Sequence, residues 1–261
     1  MAEFTEYAPG TPAWIDLGAK DVAAAATFYS ELFGWEAEDL GEEAGHYTMM
    51  KLRGKHVAAV GPLMSEMQPV AWSTYLATDD ADATAKKVKD AGGTVIAEPF
   101  DVFGSGRMAV FLDPTGAAVL TWQAKEHKGA ELANEPNTLV WSELRTTDMD
   151  KAKAFYKAAF DLDTEPFPGM DYTMVKVGDH AIGGMVTIGE GMVPEGTPPH
   201  WNVIFAVEDA DAIAAKAEKL GGKVVAKPSD MPGVGRFASI ADPQGGTFTV
   251  MKGEQPAETP S

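Results

Sequence analysis

The sequence predicts an α+β fold of four βαβββ modules in two tandem domains, and repeated patterns are the basis of that prediction. In the clearest pattern, a tryptophan is followed two residues later by an acid and seven residues later by an aspartate. Aspartate is favoured at helix starts, because its side chain accepts a hydrogen bond from a free backbone N–H group. A fainter form of the same order, with an acid seven residues on, occurs twice more. The four tryptophans are Trp14, Trp72, Trp141 and Trp201, and the acids seven residues after them are Asp21, Asp79, Asp148 and Glu208.

In the first half, the strand that carries Trp14 is followed by a helix that ends near Gly34. Apolar residues at helical spacing predict one buried stripe on that helix. Strands are expected at 47–52 and 56–61, and a second module starts at Trp72 with a helix that closes at Gly92. Three more strands are expected at 94–98, 107–112 and 117–122. Residues 113–116 form a turn between the last two, because Pro supplies a fixed φ and Gly a positive one.

The second half repeats the anchors of the first in the same order, which indicates a duplication. The predicted boundaries are a mobile lead-in at 1–12, domains at 13–123 and 138–252, a linker at 124–137 and a disordered tail at 253–261.

Composition narrows the possible classes of function. The chain has 261 residues, 45% of them apolar, and a formal net charge of −18, which disfavours nucleic-acid binding. It has no cysteine, which excludes disulfides, thiolate nucleophiles and cysteine-ligated metal. No apolar run is long enough to span a membrane and the first residues lack the pattern of a signal peptide, so a cytoplasmic location is expected.

The chain resembles the vicinal oxygen chelate superfamily, which includes glyoxalase I, extradiol dioxygenases and bleomycin-resistance proteins. The residues that carry the resemblance are D-x6-F-Y-x3-F-G from Asp21 to Gly34, its copy from Asp148 through Tyr156, and the two D-P-x-G turns at 113–116 and 242–245. It is especially similar to actinobacterial two-domain glyoxalase-like proteins that are often labelled hydroxylases. The resemblance implies that each half curls into a cup around a ligand cavity, but such a fold hosts unrelated chemistries.

The resemblance also implies where a metal would bind. Members that use a metal usually place His or Glu on the first strand of each module, seven residues before the helix cap, and Glu about seven residues after the Asp of D-P-x-G. Here those positions are the four tryptophans together with Leu120 and Thr249. Indole has no lone pair to donate and a lone hydroxyl is a poor ligand. No metal and no cofactor are therefore expected, which disfavours glyoxalase isomerisation and ring cleavage.

The tryptophans expected in the cups have two interpretations. They could stack on a planar or cationic ligand, or they could simply fill the core. The predicted ligand-binding tryptophans are Trp14, Trp72, Trp122, Trp141 and Trp201.

Two acids should lie beside these indoles by strand alternation, Asp16 and Glu143. They are the predicted catalytic residues, because they could orient a ligand amine or act as a general base. Alternatively, Glu143 would pair with Arg145, and Asp16 would face solvent or a lysine.

Two histidines and two arginines complete the candidates for ligand binding. His56 and His180 share a G-x-H pattern, and each could be a ligand-binding group or a strand-end imidazole bonded to the backbone. Arg107 and Arg236 follow G-x-G loops and could hold an anionic group of the ligand or tie down the loop.

The leading functional hypothesis is metal-independent binding of a small, largely apolar or aromatic molecule by a monomer or homodimer. The alternative is a glyoxalase-like lyase or isomerase, or an enzyme of hydroxylase or dioxygenase type, that uses Asp16 or Glu143 as a base or holds a metal at an unorthodox site. One cup could also be purely structural.

Overall fold

A computed structural model describes residues 3–65, 68–189, 193 and 196–254. Each half contains two βαβββ modules, which confirms the predicted fold class. The elements of the first half are β1 (Pro12–Ala19), α1 (Val22–Phe33), β2 (Glu36–Asp39), β3 (Thr48–Leu52), β4 (Lys55–Pro62), β5 (Ala71–Ala77), α2 (Ala81–Asp90), β6 (Thr94–Val102), β7 (Gly106–Leu112) and β8 (Ala118–Ala124). Those of the second half are β9 (Leu139–Thr146), α3 (Met149–Phe160), β10 (Asp163–Pro166), β11 (Thr173–Val177), β12 (His180–Thr187), β13 (His200–Ala206), α4 (Ala210–Lys219), β14 (Lys223–Met231), β15 (Gly235–Ala241) and β16 (Thr247–Gly253).

Each half forms one eight-stranded sheet. The strand orders are β2-β3-β4-β1-β5-β8-β7-β6 and β10-β11-β12-β9-β13-β16-β15-β14. The two modules of a half meet where their first strands pair antiparallel, with Trp14 opposite Tyr75 and Asp16 opposite Ser73. Because side chains alternate along a strand, these four residues share one face of the sheet, which lines the cup.

The helices begin one residue later than predicted in the second and fourth modules. The side chains of Asp21 and Asp148 cap α1 and α3 as expected, but Asp80 and Asp209 cap α2 and α4, in place of Asp79 and Glu208. A shift of one residue moves a strand side chain to the other face. Trp72 and Trp201 therefore do not correspond to Trp14 and Trp141, and the prediction that they line the cups is wrong.

Trp72 and Trp201 instead belong to the core between the two halves, where the helices lie. The Nε1 of Trp72 donates to the hydroxyl of Tyr29 at 3.1 Å, and that hydroxyl donates to Asp242 Oδ2 in the other half at 2.9 Å. The duplicated network joins Trp201 to Tyr156 at 2.8 Å and Tyr156 to Asp113 at 3.2 Å. The acceptors are the aspartates of the two D-P-x-G turns.

The segment before β1 packs against the chain that joins the halves. Residues 3–10 were expected to be mobile, but the N–H of Phe4 donates to the carbonyl of Glu131 at 2.9 Å and the hydroxyl of Tyr7 donates to the carbonyl of Ala130 at 2.7 Å. These two hydrogen bonds hold the segment against the chain that joins the halves. The predicted disordered tail lies mostly outside the described residues. Among the helices that the structure describes, none combines the length and apolar character that a membrane span requires.

Candidate functional site

A cavity of about 700 Å³ opens on the cup face of the first sheet. Its inner wall is largely aromatic and apolar, because β1, β3, β5, β7 and β8 each contribute side chains of one face. The principal wall residues are Trp14, Tyr47, Met49, Tyr75, Met108 and Trp122. Trp14 and Trp122 thus lie where the sequence places them.

Asp16 is the acidic group in the inner wall of this cavity, and it is buried. Its Oδ2 atom accepts hydrogen bonds from the hydroxyl of Tyr75 at 2.6 Å and from that of Tyr47 at 3.1 Å. The Nε1 of Trp14 donates to the Tyr47 hydroxyl at 3.1 Å, so the indole, the phenols and the carboxyl form one chain. Burial raises the pKa of Asp16, and the hydrogen bonds from Tyr75, Tyr47 and Ser73 only partly offset that effect.

The outer wall carries two imidazoles. The Nδ1 of His56 lies 3.2 Å from Glu131 Oε2, and the His127 ring meets the Trp14 ring edge to face at a centroid distance of 4.4 Å. Burial lowers the pKa of His56 and lowers that of His127 to about 4. Both imidazoles are therefore uncharged at neutral pH.

The mouth of the cavity is more polar and more exposed. The turn between β6 and β7 places Phe103 there with a positive φ of 47° and with 72% of the residue exposed. Glu38, Glu126 and Lys128 surround the mouth with it.

The cup of the second half is built from matching strands but has different chemistry. The Nε1 of Trp141 donates to the Tyr172 hydroxyl at 2.8 Å, as in the first half. Glu143, however, accepts from Arg145 Nε at 3.0 Å, and both side chains are largely buried. This contact is the one expected if Glu143 has a structural role as the partner of Arg145.

Arg107 does not line the cavity of the first half, and Arg236 does not line the cleft beside Trp141 in the second half. Arg107 binds both carboxylate oxygens of Asp82 on α2 at 2.9 and 3.0 Å. Arg236 likewise binds Asp211 on α4, through Nη2 at 2.9 Å and through a second, shorter contact from Nε. The prediction of an anion-binding group in the cup is therefore wrong, since each guanidinium fastens a strand to a helix start.

His56 and His180 are not equivalent positions. His56 pairs with Lys51 and lines the cavity, whereas His180 pairs with Val177 at the start of β12, and Ala181 holds the place of His56. The two turns are equally long, with two residues between Leu52 and Lys55 and two between Val177 and His180, but glycine is the second turn residue in the first half and the first in the second half, which shifts the G-x-H pattern by one residue. His180 is exposed and borders a smaller cleft of about 400 Å³ that also contains Trp141.

The residues present do not fit the usual metal site of the fold. Counted from the observed caps, the first-strand positions are Trp14, Ser73, Trp141 and Asn202, and the terminal-strand positions are Leu120 and Thr249. The Asn202 amide already donates to the Thr249 hydroxyl at 3.1 Å. Within the described ranges, no group of three or more His, Asp or Glu side chains is arranged to hold a metal ion. Indole, an apolar side chain and neutral hydroxyls are a poor ligand set for a divalent cation.

Several cavity residues were missed from the sequence. Tyr75 lies two residues after Ser73 on the same strand face, so correct counting from Asp80 would have found it. His127 and Glu131 belong to the segment predicted as a linker, and they reach the cavity because the N–H of Glu131 bonds to the carbonyl of His56 at 2.7 Å. No local pattern marks that contact.

A family model for the Glyoxalase/Bleomycin resistance protein/Dioxygenase superfamily matches residues 11–120 and 127–250. The chain therefore belongs to this superfamily, as two tandem copies of its domain. Its fold is shared by the Mn(II)-bound glyoxalase from Novosphingobium aromaticivorans, with a TM-score of 0.66, 20% identity, and 94% of this chain and 82% of that chain covered. The 2,3-dioxygenase LapB from Pseudomonas sp. KL28 gives a TM-score of 0.64 at 13% identity, with 96% and 95% covered.

Two relatives resemble the chain more closely in sequence. The protein named "Putative glyoxylase CFP32" from Mycobacterium tuberculosis is 47% identical over 260 residues, which cover 97% of this chain and 98% of the relative. The anthracycline biosynthesis protein DnrV from Streptomyces peucetius is 43% identical over 266 residues, with 95% of each chain covered.

Proposed function

We propose that the cavity of the first half binds a small, planar aromatic molecule without the help of a metal ion. The observation that carries the proposal is the arrangement of indole and phenol rings around one buried carboxyl in a cavity of about 700 Å³. That volume lies within the range of sites for drug-sized ligands, about 300 to 1,000 Å³. Aromatic walls with one fixed polar group favour a ligand that is flat, apolar over most of its surface and polar at one edge.

The curated relatives support the same chemical class. DnrV and a second Streptomyces protein, DauV, are both named for anthracycline biosynthesis, and anthracyclines are fused-ring aromatic compounds. The Tyr75 and Trp122 rings lie nearly perpendicular, at an interplanar angle of 86° and a centroid distance of 6.4 Å. A flat ligand can therefore stack on one wall while its edge meets the other, and each such aromatic contact contributes about 0.5 to 1.5 kcal/mol beyond its buried area.

Quenching of tryptophan fluorescence by 2-(hydroxymethyl)anthraquinone tests the proposal. We expect saturable quenching at one site per chain, weakened at least about tenfold by Trp14→Ala, because the ring stacks on the inner wall. Trp141→Ala removes the equivalent residue of the second half and is the matched control. Circular dichroism verifies the fold of each variant, and Trp14→Phe should retain part of the affinity. Loss of binding on Trp141→Ala alone would place the site in the second cup.

A second candidate function is supported by Asp16 itself. A buried carboxyl whose pKa is raised, 2.6 Å from a phenol, is suited to act as a general base on a bound organic substrate, and CFP32 bears the name of a glyoxylase. In that case Asp16→Asn abolishes turnover of the substrate while its binding persists. Stoichiometric binding without turnover in the wild type would favour the first proposal.

We also propose that the protein works in the cytoplasm as a monomer or homodimer, with the domain boundaries given above. The lack of an apolar run long enough to span a membrane supports the location. Cell fractionation and light scattering after gel filtration test these two statements.

A further inference from the structure

Asp16 is a buried carboxyl without a cationic partner among the residues that the structure describes. Its side chain lies at the cavity wall, and the atoms bonded to it belong to Tyr47, Tyr75 and Ser73, all neutral donors. Burial of an ionised carboxylate is costly unless a charge or several hydrogen bonds compensate it. The protein's own groups therefore favour the protonated form of Asp16 more strongly than water does.

In the second half, the acid at the equivalent position has a cationic partner. Glu143 occupies the position of Asp16 and pairs with Arg145, two residues further along the strand. The corresponding residue of the first half is Gly18, which offers no side chain. A Cβ atom at Gly18 would lie 3.2 Å from side-chain atoms of Gln68 and Leu63, so the local packing also leaves little room for a cation from the protein.

The other titratable and charged groups around the cavity do not supply the missing positive charge. The imidazoles of His56 and His127 are neutral at neutral pH, because burial lowers the pKa of both. Lys128 is exposed at the mouth, and Glu38, Glu126 and Glu131 outnumber it in the rest of the lining. The groups that face the cavity from the elements around Asp16 are Glu38, Tyr47, His56, Tyr75, Glu126, His127, Lys128 and Glu131.

We propose that the cavity recognises an aliphatic ammonium group on its aromatic ligand, with Asp16 as the counter-ion and the surrounding indole and phenol rings as a cage. This inference rests on the proposed function, because it names a further feature of the same ligand. Aromatic faces attract cations through their quadrupole, and a hydrogen bond between an ammonium and a carboxylate is stronger than one between neutral groups. The ligand thus supplies in the first cup the charge that Arg145 supplies in the second.

Binding of such a ligand is coupled to proton release. In the empty cavity burial holds the pKa of Asp16 above its usual range, and the arriving ammonium lowers it again because it stabilises the carboxylate. Over the pH range in which the free carboxyl is protonated, each binding event releases a proton. Affinity for the amine therefore rises with pH until the free carboxyl is already ionised, and it is constant above that point while the amine stays protonated.

A matched pair of probes tests the inference, namely 2-(aminomethyl)anthraquinone and 2-(hydroxymethyl)anthraquinone. We expect the amine to bind the full-length protein about 10- to 100-fold more tightly than the alcohol at neutral pH, the usual range for a hydrogen bond to a charged group. As the pH rises above the ordinary pKa of aspartate, about 4, the preference for the amine should increase. Calorimetry in two buffers of different ionisation enthalpy should show proton release with the amine alone.

The substitution Asp16→Asn should reduce the preference for the amine to within about twofold and abolish its pH dependence, while the alcohol still binds. Asp179→Asn, which removes an exposed acid in a turn of the second half, is the matched control and should leave the preference unchanged. Equal affinity of the two probes for the wild type, without pH dependence, would overturn the inference and leave the proposed function standing. Binding of neither probe would overturn both. Because the wild-type comparison needs no variant, the test holds even if Asp16→Asn fails to fold.

Discussion

The hydroxyl of Tyr29 is predicted to be a major source of stability at the contact between the halves. It accepts from Trp72 Nε1 at 3.1 Å and donates to Asp242 Oδ2 at 2.9 Å, and the Tyr29 ring is fully buried. The substitution Tyr29→Phe keeps the ring and removes both hydrogen bonds. It leaves a buried indole N–H without an acceptor and a buried carboxylate oxygen without its donor.

The expected cost follows from these two unpaired groups. An unsatisfied buried polar group costs about 1 to 3 kcal/mol, and the other oxygen of Asp242 keeps its bonds from the backbone N–H groups of Gln244 and Gly246 at 2.8 and 2.9 Å. We therefore expect Tyr29→Phe to lower the free energy of unfolding by about 2 to 6 kcal/mol, the sum for the two groups. Tyr156→Phe removes the equivalent hydroxyl of the second half, which donates to Asp113 in the first half, and should cost a similar amount.

Urea denaturation followed by far-ultraviolet circular dichroism measures this cost. Tyr7→Phe is the control, because its half-buried hydroxyl makes one bond to the carbonyl of Ala130, and its removal should cost about 1 kcal/mol or less. Both core variants should shift one common transition, since each network joins the two halves. The reasoning is refuted if Tyr29→Phe costs no more than Tyr7→Phe, or if it destabilises one half while the other unfolds unchanged.

Three further outcomes are expected. Asp16→Asn should stabilise the protein at neutral pH. Burial raises the pKa of Asp16 in the folded state, so the wild-type protein loses stability as the pH rises above the pKa of the unfolded chain, and asparagine avoids that loss. Thermal denaturation should show that the gain shrinks toward about pH 4. Arg107→Ala should cost about 1 kcal/mol or less in the same assay and leave anthraquinone affinity within about twofold, since its exposed ion pair with Asp82 lies away from the cavity. Phe103→Gly should weaken anthraquinone binding while the free energy of unfolding stays equal or rises by up to about 1 kcal/mol, because glycine relieves the positive φ; a loss of stability without a loss of affinity would contradict this.

The fold was predictable because its signals are local and occur in duplicate. Caps such as Asp21 and Asp148, and turns such as 113–116, determine their own few residues whatever the rest of the chain does. The two copies also support one another, since an ambiguous strand in one half has a clearer counterpart in the other. The four modules therefore follow from the sequence without knowledge of any long-range contact.

The site was less predictable because the identity of a strand face depends on a single residue of register. Choosing Asp79 over Asp80 as the cap moved Trp72 from the core between the halves to the cup and hid Tyr75. Adjacent aspartates leave this choice open in the sequence, and the paired strand settles it in the structure. The contribution of His127 depends on a linker that folds back over the cavity, a non-local contact that no periodicity signals.

The two faces of each sheet are under different constraints, and this explains why the hydrogen-bond network on the helix side is the same in both halves, whereas the partners of the buried acid in the cup differ. On the helix side, each half supplies the aspartate that satisfies a tyrosine of the other half, through Tyr29 with Asp242 and Tyr156 with Asp113. A change in either copy leaves a buried group unpaired in both halves, so the two networks stay alike. The buried acid of a cup needs a partner only within its own half, and in the second half Arg145 is that partner for Glu143. In the first half, no cation among the residues that the structure describes pairs with Asp16, and a bound ligand is the source of charge that we propose for it.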